Sequence, residues 1–159
     1  MSQTPSAFDL AGVIRHAVPH VFETMLALKV VAVDAQASFA GERLSGTIGI
    51  AGETLSGAVY LHFSETLARR AAASMLGLES VDCGETDTVN DVASELANMV
   101  GAGLKSALCD AGWPCGMSTP SIVRGRAFVI ELPPGAGFET FSFDCHGEPL
   151  AVDVYLKLD

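Results

Sequence analysis

The sequence has few basic residues and no long apolar run. Only 9 Lys and Arg stand against 19 Asp and Glu, so the formal net charge is -10 at pH 7. A field of that sign repels phosphate backbones, which argues against nucleic acid and anionic membrane surfaces as partners. No stretch reaches the roughly 18 consecutive apolar residues that a membrane-spanning helix needs. We therefore expect the partners to be small molecules or other proteins.

Cysteine is sparse and forms no motif. There is no C-x-x-C pair, which excludes a zinc knuckle and a thioredoxin-like site, and the irregularly spaced cysteines are Cys83, Cys109, Cys115 and Cys145. The N-terminal stretch MSQTPSAFDLAGVIRH lacks the basic head and apolar middle of a secretion signal. An even count permits two disulfides, but we predict a cytoplasmic protein with free thiols.

Apolar residues, in contrast, are plentiful. Hydrophobic side chains make up 49% of the 159 residues and charged ones only 18%. This composition excludes long disorder, because disordered chains are poor in apolar residues and rich in charge. A chain of this length can bury a core without disulfide or metal staples. We predict a single domain over residues 1–159.

Hydrophobic periodicity predicts a helix, three strands, two helices and four strands. Steps of three and four residues predict the helices, which we place at 8–28, 64–78 and 88–110. Alternating patterns predict the strands, at 29–39, 43–50, 54–63, 119–123, 126–132, 138–145 and 150–156. Pro19 predicts a bend, Ser64 and Gly77 predict the start and stop of the second helix, and 81–87 reads as a loop.

This order of elements indicates an α+β fold. Strands joined by short turns form mostly antiparallel sheets, and amphipathic helices need an apolar surface to cover. We therefore expect a mostly antiparallel sheet with the helices packed on one face.

The helix predicted at 88–110 is the most informative segment. On a helical wheel its core face contains Val89, Val92, Ala93, Leu96, Val100, Gly103, Leu104 and Ala107. Its outer face contains Asp91, Glu95, Asn98, Ala102 and Lys105. Because glycine is a poor helix former, we expect Gly103 to pack closely on the sheet. Gly101 and Ala102 are expected to leave room for a partner on the outer side.

Glu95 and Asn98 are three residues apart, so their side chains are neighbours on the outer face. Asparagine is a mediocre mid-helix residue, and an exposed one beside small residues is a candidate contact group. The spacing alone is more typical of ordinary solvated side chains. The same alternative applies to the charges of Asp91 and Lys105.

Longer segments resemble one family. TMLALKV, SGTIGIAGETLSGAVYLHFSETLARRAAASMLG, STPSIVRG and above all VNDVASELANMVGAGLKSAL resemble the CheX-type chemotaxis phosphatases, which are similar to CheC and FliY proteins. Glu95, Asn98 and Lys105 match the helix signature of that group, whereas Ala102 stands where the family usually has glycine. A second E-x-x-N, typical of CheC, is missing from the first helix. The resemblance spans residues 21–158.

The resemblance implies a CheC-like fold and a phosphatase. The protein would remove the phosphoryl group from the aspartyl phosphate of a CheY-like response regulator, with Glu95 pairing with the regulator's lysine and Asn98 orienting the attacking water. Asp91, Ala102 and Lys105 would contact this partner. The regulator would supply Mg²⁺, so the chain would need no cofactor or metal ligands of its own. An exposed sheet edge would join two copies as a homodimer.

Two other functions stay open on the sequence. The same helix face could dock a regulator without dephosphorylating it, as a non-catalytic response-regulator-binding or flagellar-switch adaptor module. A small-molecule-binding domain is the other alternative, although no polar cluster supports it.

The remaining reactive side chains form no recognisable site. The four histidines are scattered, and His62 lies in an apolar strand of which one face could meet solvent. Asp144, Cys145 and His146 are consecutive in a predicted strand, where neighbours alternate between faces and cannot converge as a triad. Trp113 is expected to pack at the end of the long helix.

Overall fold

The computed structural model describes residues 8–79, 85–131 and 137–158. Within these ranges it contains three helices, which are α1 (Leu10–Leu26), α2 (Glu65–Leu76) and α3 (Thr86–Asp110). The strands are β1 (Val31–Val33), β2 (Glu42–Ala51), β3 (Leu55–Ser64), β4 (Gly116–Met117), β5 (Ser121–Arg126), β6 (Gly137–Cys145) and β7 (Glu148–Leu158). The predicted order of helices and strands is confirmed. None of these helices is long and apolar enough to cross a membrane.

All the strands join one antiparallel sheet. Its order is β1-β6-β7-β3-β2, and β2 pairs along its other side with both β4 and β5. In the centre, Val59 of β3 stands opposite Ile48 of β2 and Val154 of β7. The helices cover one face of this sheet, where the Phe22 ring of α1 lies 6.2 Å from the Phe63 ring of β3. The predicted α+β class is therefore confirmed.

Local signals set the helix ends. The Ser64 hydroxyl accepts a hydrogen bond from the Leu67 amide at 3.1 Å and caps α2, as predicted. Gly77 ends α2 in the left-handed conformation with φ 69°, which glycine adopts without strain. Pro19 lies inside α1, which continues through it as one helix.

Two strand predictions and one loop prediction need correction. The strand predicted at 29–39 is only three residues long. Among the described strands, β1 pairs with β6 alone, and its side chains are exposed rather than alternately buried. The strand predicted at 126–132 is not formed up to 131, since Ala127 takes a left-handed conformation that ends β5. The short strand β4 supplies the additional strand instead. Of the loop predicted at 81–87, residues 81–84 lie outside the described ranges, and Thr86 and Asp87 already belong to α3.

The buried face of α3 also differs from the prediction. Gly101 is buried, and a Cβ added there would lie 3.1 Å from Cγ2 of Ile48 on β2. A Cβ added to Gly103 would lie 3.4 Å from Cβ of Ala17 on α1. The expectation that Gly103 meets the sheet and Gly101 faces outward was therefore wrong. Because α3 packs against both the sheet and α1, the buried part of its circumference, here called the buried arc, is wider than the apolar pattern predicted.

Candidate functional site

Close packing holds α3 on the sheet. Leu96, Val100 and Leu104 are completely buried. A Cβ added to Gly46 of β2 would come within 2.8 Å of Cβ of Ala97, a distance that real side chains do not tolerate. Together with Gly101, this glycine lets the helix backbone approach the strand. The outer face of α3 is therefore presented by a tightly packed element.

The outer face of α3 carries the five predicted site residues in one row. Steps of four and three residues alternate along this row, which keeps the side chains on one side of the helix. Asp91 and Glu95 are exposed, and Asn98, Ala102 and Lys105 are partly exposed. We call these five residues the outer stripe. It lies on the side of α3 opposite to the buried arc.

The Glu95 and Asn98 side chains are available to a partner. Among the described residues, neither one makes a side-chain hydrogen bond or an ion pair. A carboxylate in this state can pair with a cation, and an amide offers both donors and acceptors to a water molecule or a phosphoryl oxygen. Ala102, one turn further along, adds only a methyl group. The geometry therefore suits contact with an approaching polar surface.

Lys105 lies near a pair of thiols at the C-terminal end of the outer stripe. Burial raises the pKa of the Cys115 thiol, the neighbouring Cys109 thiol adds to that effect, and the charge of Lys105 opposes it. The Cys109 thiol also donates a hydrogen bond to the Cys115 carbonyl oxygen at 3.7 Å. The outer stripe thus ends beside two cysteines that we had not assigned to the site from the sequence.

Arg124 of β5 anchors the first turns of α3. Its Nη2 donates to Oδ1 of Asn90 at 2.8 Å, and its Nη1 pairs with Oε1 of Glu42 at 3.1 Å and with a carboxylate oxygen of Glu65. One guanidinium group thereby ties β5 to β2, α2 and α3. The sequence did not reveal this contact, because Asn90 and Arg124 are brought together only by the packing of α3 on β5.

A buried serine, a buried histidine and a partly exposed aspartate form a second polar cluster. Ser45 Oγ lies 2.6 Å from Nδ1 of His62, and Nε2 of His62 lies 2.9 Å from Oδ2 of Asp153. These residues belong to the neighbouring strands β2, β3 and β7, on the face without helices. Ser45 is 0% exposed and His62 is 4% exposed, so a substrate cannot reach the hydroxyl. The cluster satisfies buried polar groups.

The structure also places the other reactive side chains. Cys145 is buried and His146 is exposed in a turn, so these neighbours diverge as predicted. Trp113 packs edge-on against Phe8 with ring centroids 6.3 Å apart, which confirms its expected place at the end of α3. Within the described ranges, no three His, Cys, Asp or Glu side chains are arranged to hold a metal ion.

Comparisons with solved structures show the same fold. The chemotaxis protein CheX from Vibrio vulnificus is 22% identical, with a TM-score of 0.80 over 97% of this chain and 100% of that one. A CheC-like superfamily protein from Shewanella sp. PV-4 is 26% identical, with a TM-score of 0.76 over 92% and 96% of the two chains. A chain of the CheX-CheY-BeF3-Mg²⁺ complex from Borrelia burgdorferi is 16% identical, with a TM-score of 0.75 over 94% and 99%.

The sequence itself matches a family model. No curated protein matched the chain significantly. The model described as chemotaxis phosphatase CheX, however, matches residues 44–144. This segment is more than half of the chain and contains the whole outer stripe. The chain therefore belongs to the CheX family of chemotaxis phosphatases.

Proposed function

We propose that this protein hydrolyses the aspartyl phosphate of a CheY-like response regulator. The observation that carries the proposal is the pair Glu95 and Asn98, unengaged on the outer side of a tightly packed helix. Both residues lie in the segment that matches the phosphatase family. The complex of a solved relative with CheY, BeF3 and Mg²⁺ supports a regulator of this kind as the partner.

Glu95 provides the docking contact. Its exposed carboxylate would pair with the lysine at the regulator's active site. An exposed ion pair contributes up to about 1 kcal/mol, so the pair mainly aligns the two surfaces. Because Asn98 is three residues further along the same helix, this alignment also directs the Asn98 amide toward the phosphoryl group.

Asn98 orients the attacking water. Its carbonyl oxygen accepts one water hydrogen, which turns a lone pair of the water oxygen toward phosphorus. The new P–O bond forms as the bond to the aspartyl oxygen breaks, and that oxygen leaves as a carboxylate. The water protons remain on the released phosphate. An acyl phosphate has a good leaving group, so positioning and charge stabilisation suffice without a strong base.

The remaining members of the outer stripe make the approach possible. Ala102 leaves space for the regulator's surface, and Asp91 and Lys105 contact it at the two ends of the row. We propose that the regulator supplies Mg²⁺, which would neutralise charge on the phosphoryl oxygens. A neutral amide at position 98 suits this task, because a carboxylate there would repel the phosphoryl group.

The decisive experiment follows the decay of a phosphorylated CheY-like regulator. We expect the wild-type protein to accelerate decay and Asn98→Ala to lower the catalysed rate by about 100-fold or more, the effect of losing one transition-state contact, while binding persists. Glu95→Ala should weaken binding as well as turnover. Glu23→Ala, which removes an exposed carboxylate from α1, is the matched control and should leave both unchanged.

Two outcomes would contradict the proposal. If a bound regulator decays no faster with the protein than without it, the chain is an adaptor rather than an enzyme. If Asn98→Ala retains full activity, catalysis takes place elsewhere on the molecule.

A further inference from the structure

The last turn of α3 carries a reactive side chain in line with the outer stripe. Cys109 comes four residues after Lys105 and continues the alternation of three- and four-residue steps. Its thiol is free, and the residue is exposed. A surface that docks along the outer stripe therefore reaches the neighbourhood of this thiol.

Cys115 lies against Cys109 but is held by a different part of the molecule. The Cys109 thiol donates to the Cys115 carbonyl oxygen at 3.7 Å, which places the two residues side by side. The segment around Cys115 packs on the β2–β3 hairpin, where a Cβ added to Gly52 would lie 3.3 Å from Cα of Cys115. β4 begins with the next residue and pairs with β2. A bond between the sulfur atoms would thus tie the end of α3 to the edge of the sheet.

The turn between the two cysteines is compact. Gly112 takes a positive φ of 96°, and its amide donates to the Cys109 carbonyl oxygen at 3.1 Å. The Trp113 amide donates to the Leu108 carbonyl oxygen at 2.9 Å. A disulfide across so short a loop removes less entropy from the unfolded chain than one across a long loop, so its stabilisation falls at the low end of the usual range, about 2 kcal/mol. This placement suits a bond that forms and is reduced again rather than a permanent staple.

Among the described cysteines, the third one cannot take part. Cys145 is 0% exposed, and it lies on β6 in the core beneath the helices. Oxidants and alkylating reagents reach exposed thiols first. In the described part of the chain, the reactive pair is therefore confined to the end of the outer stripe.

We propose that Cys109 and Cys115 form a redox-active dithiol whose oxidation weakens docking of the response regulator. A peroxide first oxidises the Cys109 thiol to a sulfenic acid and is itself reduced to water. The Cys115 sulfur then bonds to the Cys109 sulfur, and the sulfenic oxygen leaves as a second water with the thiol proton. The net reaction converts two thiols and one hydrogen peroxide into one disulfide and two waters. Thiols such as glutathione reverse it by exchange.

The effect on docking follows from the positions of the residues. A disulfide draws the Cys109 side chain toward Cys115 and fixes the last turn of α3 next to Lys105. The end of the outer stripe then presents a changed and less adaptable surface. This regulatory half of the proposal rests on the proposed function, whereas formation of the disulfide does not.

Peptide mass measurement tests the disulfide on the full chain. Trypsin cuts after Lys105 and Arg124, so both cysteines remain in the single peptide 106–124. After treatment with hydrogen peroxide and trapping with N-ethylmaleimide, we expect this peptide to lose two hydrogens and to take up no maleimide. Dithiothreitol should restore both adducts. Cys115→Ser should form no such linkage, and dithiothreitol should return its Cys109 from the sulfenic acid to a thiol that takes up maleimide.

A peptide that keeps both maleimide adducts after peroxide treatment would overturn the proposal. A peptide whose cysteines carry added oxygen atoms that dithiothreitol does not remove would also overturn the proposal. In that case each thiol would have been oxidised separately and no disulfide would have formed.

Regulator dephosphorylation tests the second half. We expect the oxidised wild-type protein to act about fivefold more slowly, the loss typical of one interface contact, and dithiothreitol to restore the rate. Cys115→Ser can form the Cys109 sulfenic acid but cannot close the disulfide, so peroxide should not slow it by the same factor as the wild-type protein. Equal dephosphorylation rates for the reduced and oxidised protein would refute the regulatory role but not the formation of the disulfide. A reduced protein that neither binds nor dephosphorylates any regulator would refute the proposed function and this role with it, leaving the peptide result unaffected.

Discussion

At the scale of single residues, Gly101 and Gly103 of α3 differ in how much space surrounds them. A Cβ at Gly101 would meet three atoms of Ile48 within 3.3 Å, whereas one at Gly103 would reach only Cβ of Ala17 at 3.4 Å. We predict that Gly101→Leu lowers the free energy of unfolding by about 1–3 kcal/mol, the usual effect of overpacking. Urea denaturation would measure the change.

Gly103→Ala is the matched control for this substitution. Its added methyl group makes an ordinary contact, and alanine forms helices better than glycine. We therefore expect a gain of up to about 1 kcal/mol. Equal stability of Gly101→Leu and the wild-type protein would show that α3 does not lie as close to β2 as described.

A buried cysteine and a partly buried tyrosine make stability depend on pH in the alkaline range. Burial raises the pKa of Cys145 above its ordinary 9.0 and that of Tyr60 above its ordinary 10.0. Between the unfolded and folded pKa values the unfolded chain has lost these protons and the native protein still holds them. The free energy of unfolding therefore falls as pH rises past about 9. We predict a lower urea midpoint at pH 10 than at pH 8.

Cys145→Ala separates the two contributions. This variant should be less stable at pH 8 because it leaves a small cavity, but its stability should fall less between pH 8 and pH 10. An unchanged pH slope would mean that Cys145 does not titrate differently in the two states.

At the scale of elements, Arg124 joins four parts of the fold. It contacts Glu42, Glu65 and Asn90, and these contacts are mostly shielded from solvent. We predict that Arg124→Met lowers the free energy of unfolding by about 1–3 kcal/mol, because Glu42 and Asn90 lose this partner, although Glu65 still pairs with Arg69. Chemical denaturation would measure this loss, with Arg126→Met as the control, since Arg126 is exposed on the same strand. Equal stability of the two variants would contradict the role of Arg124 as an anchor.

The ends of the elements show which signals are local. The cap at Ser64 and the stop at Gly77 were predicted because each acts on the amides and carbonyls of its own helix. The end of β5 was not predicted, because Ala127 carries no turn signal. The chain leaves the strand there, and Arg43 donates a hydrogen bond to the Phe128 carbonyl oxygen at 2.8 Å. A partner 85 residues away in sequence cannot be read from the segment itself.

At the scale of the whole molecule, β1 is an open edge of the sheet. Among the described strands it pairs only with β6, and Val31 and Val33 are 50% and 38% exposed. An uncovered edge strand pairs readily with another strand, so we predict a homodimer that joins two copies at β1. Sedimentation equilibrium should give the dimer mass for the wild-type protein and the monomer mass for Val33→Lys.

Val129→Lys is the control for the dimer. Val129 is 84% exposed and follows β5, which lies at the opposite end of the sheet from β1, so the added charge there should leave the dimer intact. A monomeric wild-type protein, or a dimeric Val33→Lys, would exclude pairing at this edge.

The sequence by itself determined α3 and the five residues of its outer stripe. The apolar periodicity of a helix is a property of neighbouring residues in the sequence. The same spacing places Asp91, Glu95, Asn98, Ala102 and Lys105 on one side of α3. The order of helices and strands followed from the same kind of local pattern. The roles of Glu95 and Asn98 remain predictions that the phosphatase assay tests.

Only the tertiary structure decided which residues from distant segments meet. Ser45, His62 and Asp153 form one hydrogen-bonded cluster because three strands place them side by side, whereas the sequence indicated only that one face of the strand with His62 could meet solvent. The packing of α3 against both α1 and β2 decided that Gly101 rather than Gly103 meets the sheet. Periodicity records how apolar a face is, but not which surface covers it, since that depends on contacts between segments far apart in the chain.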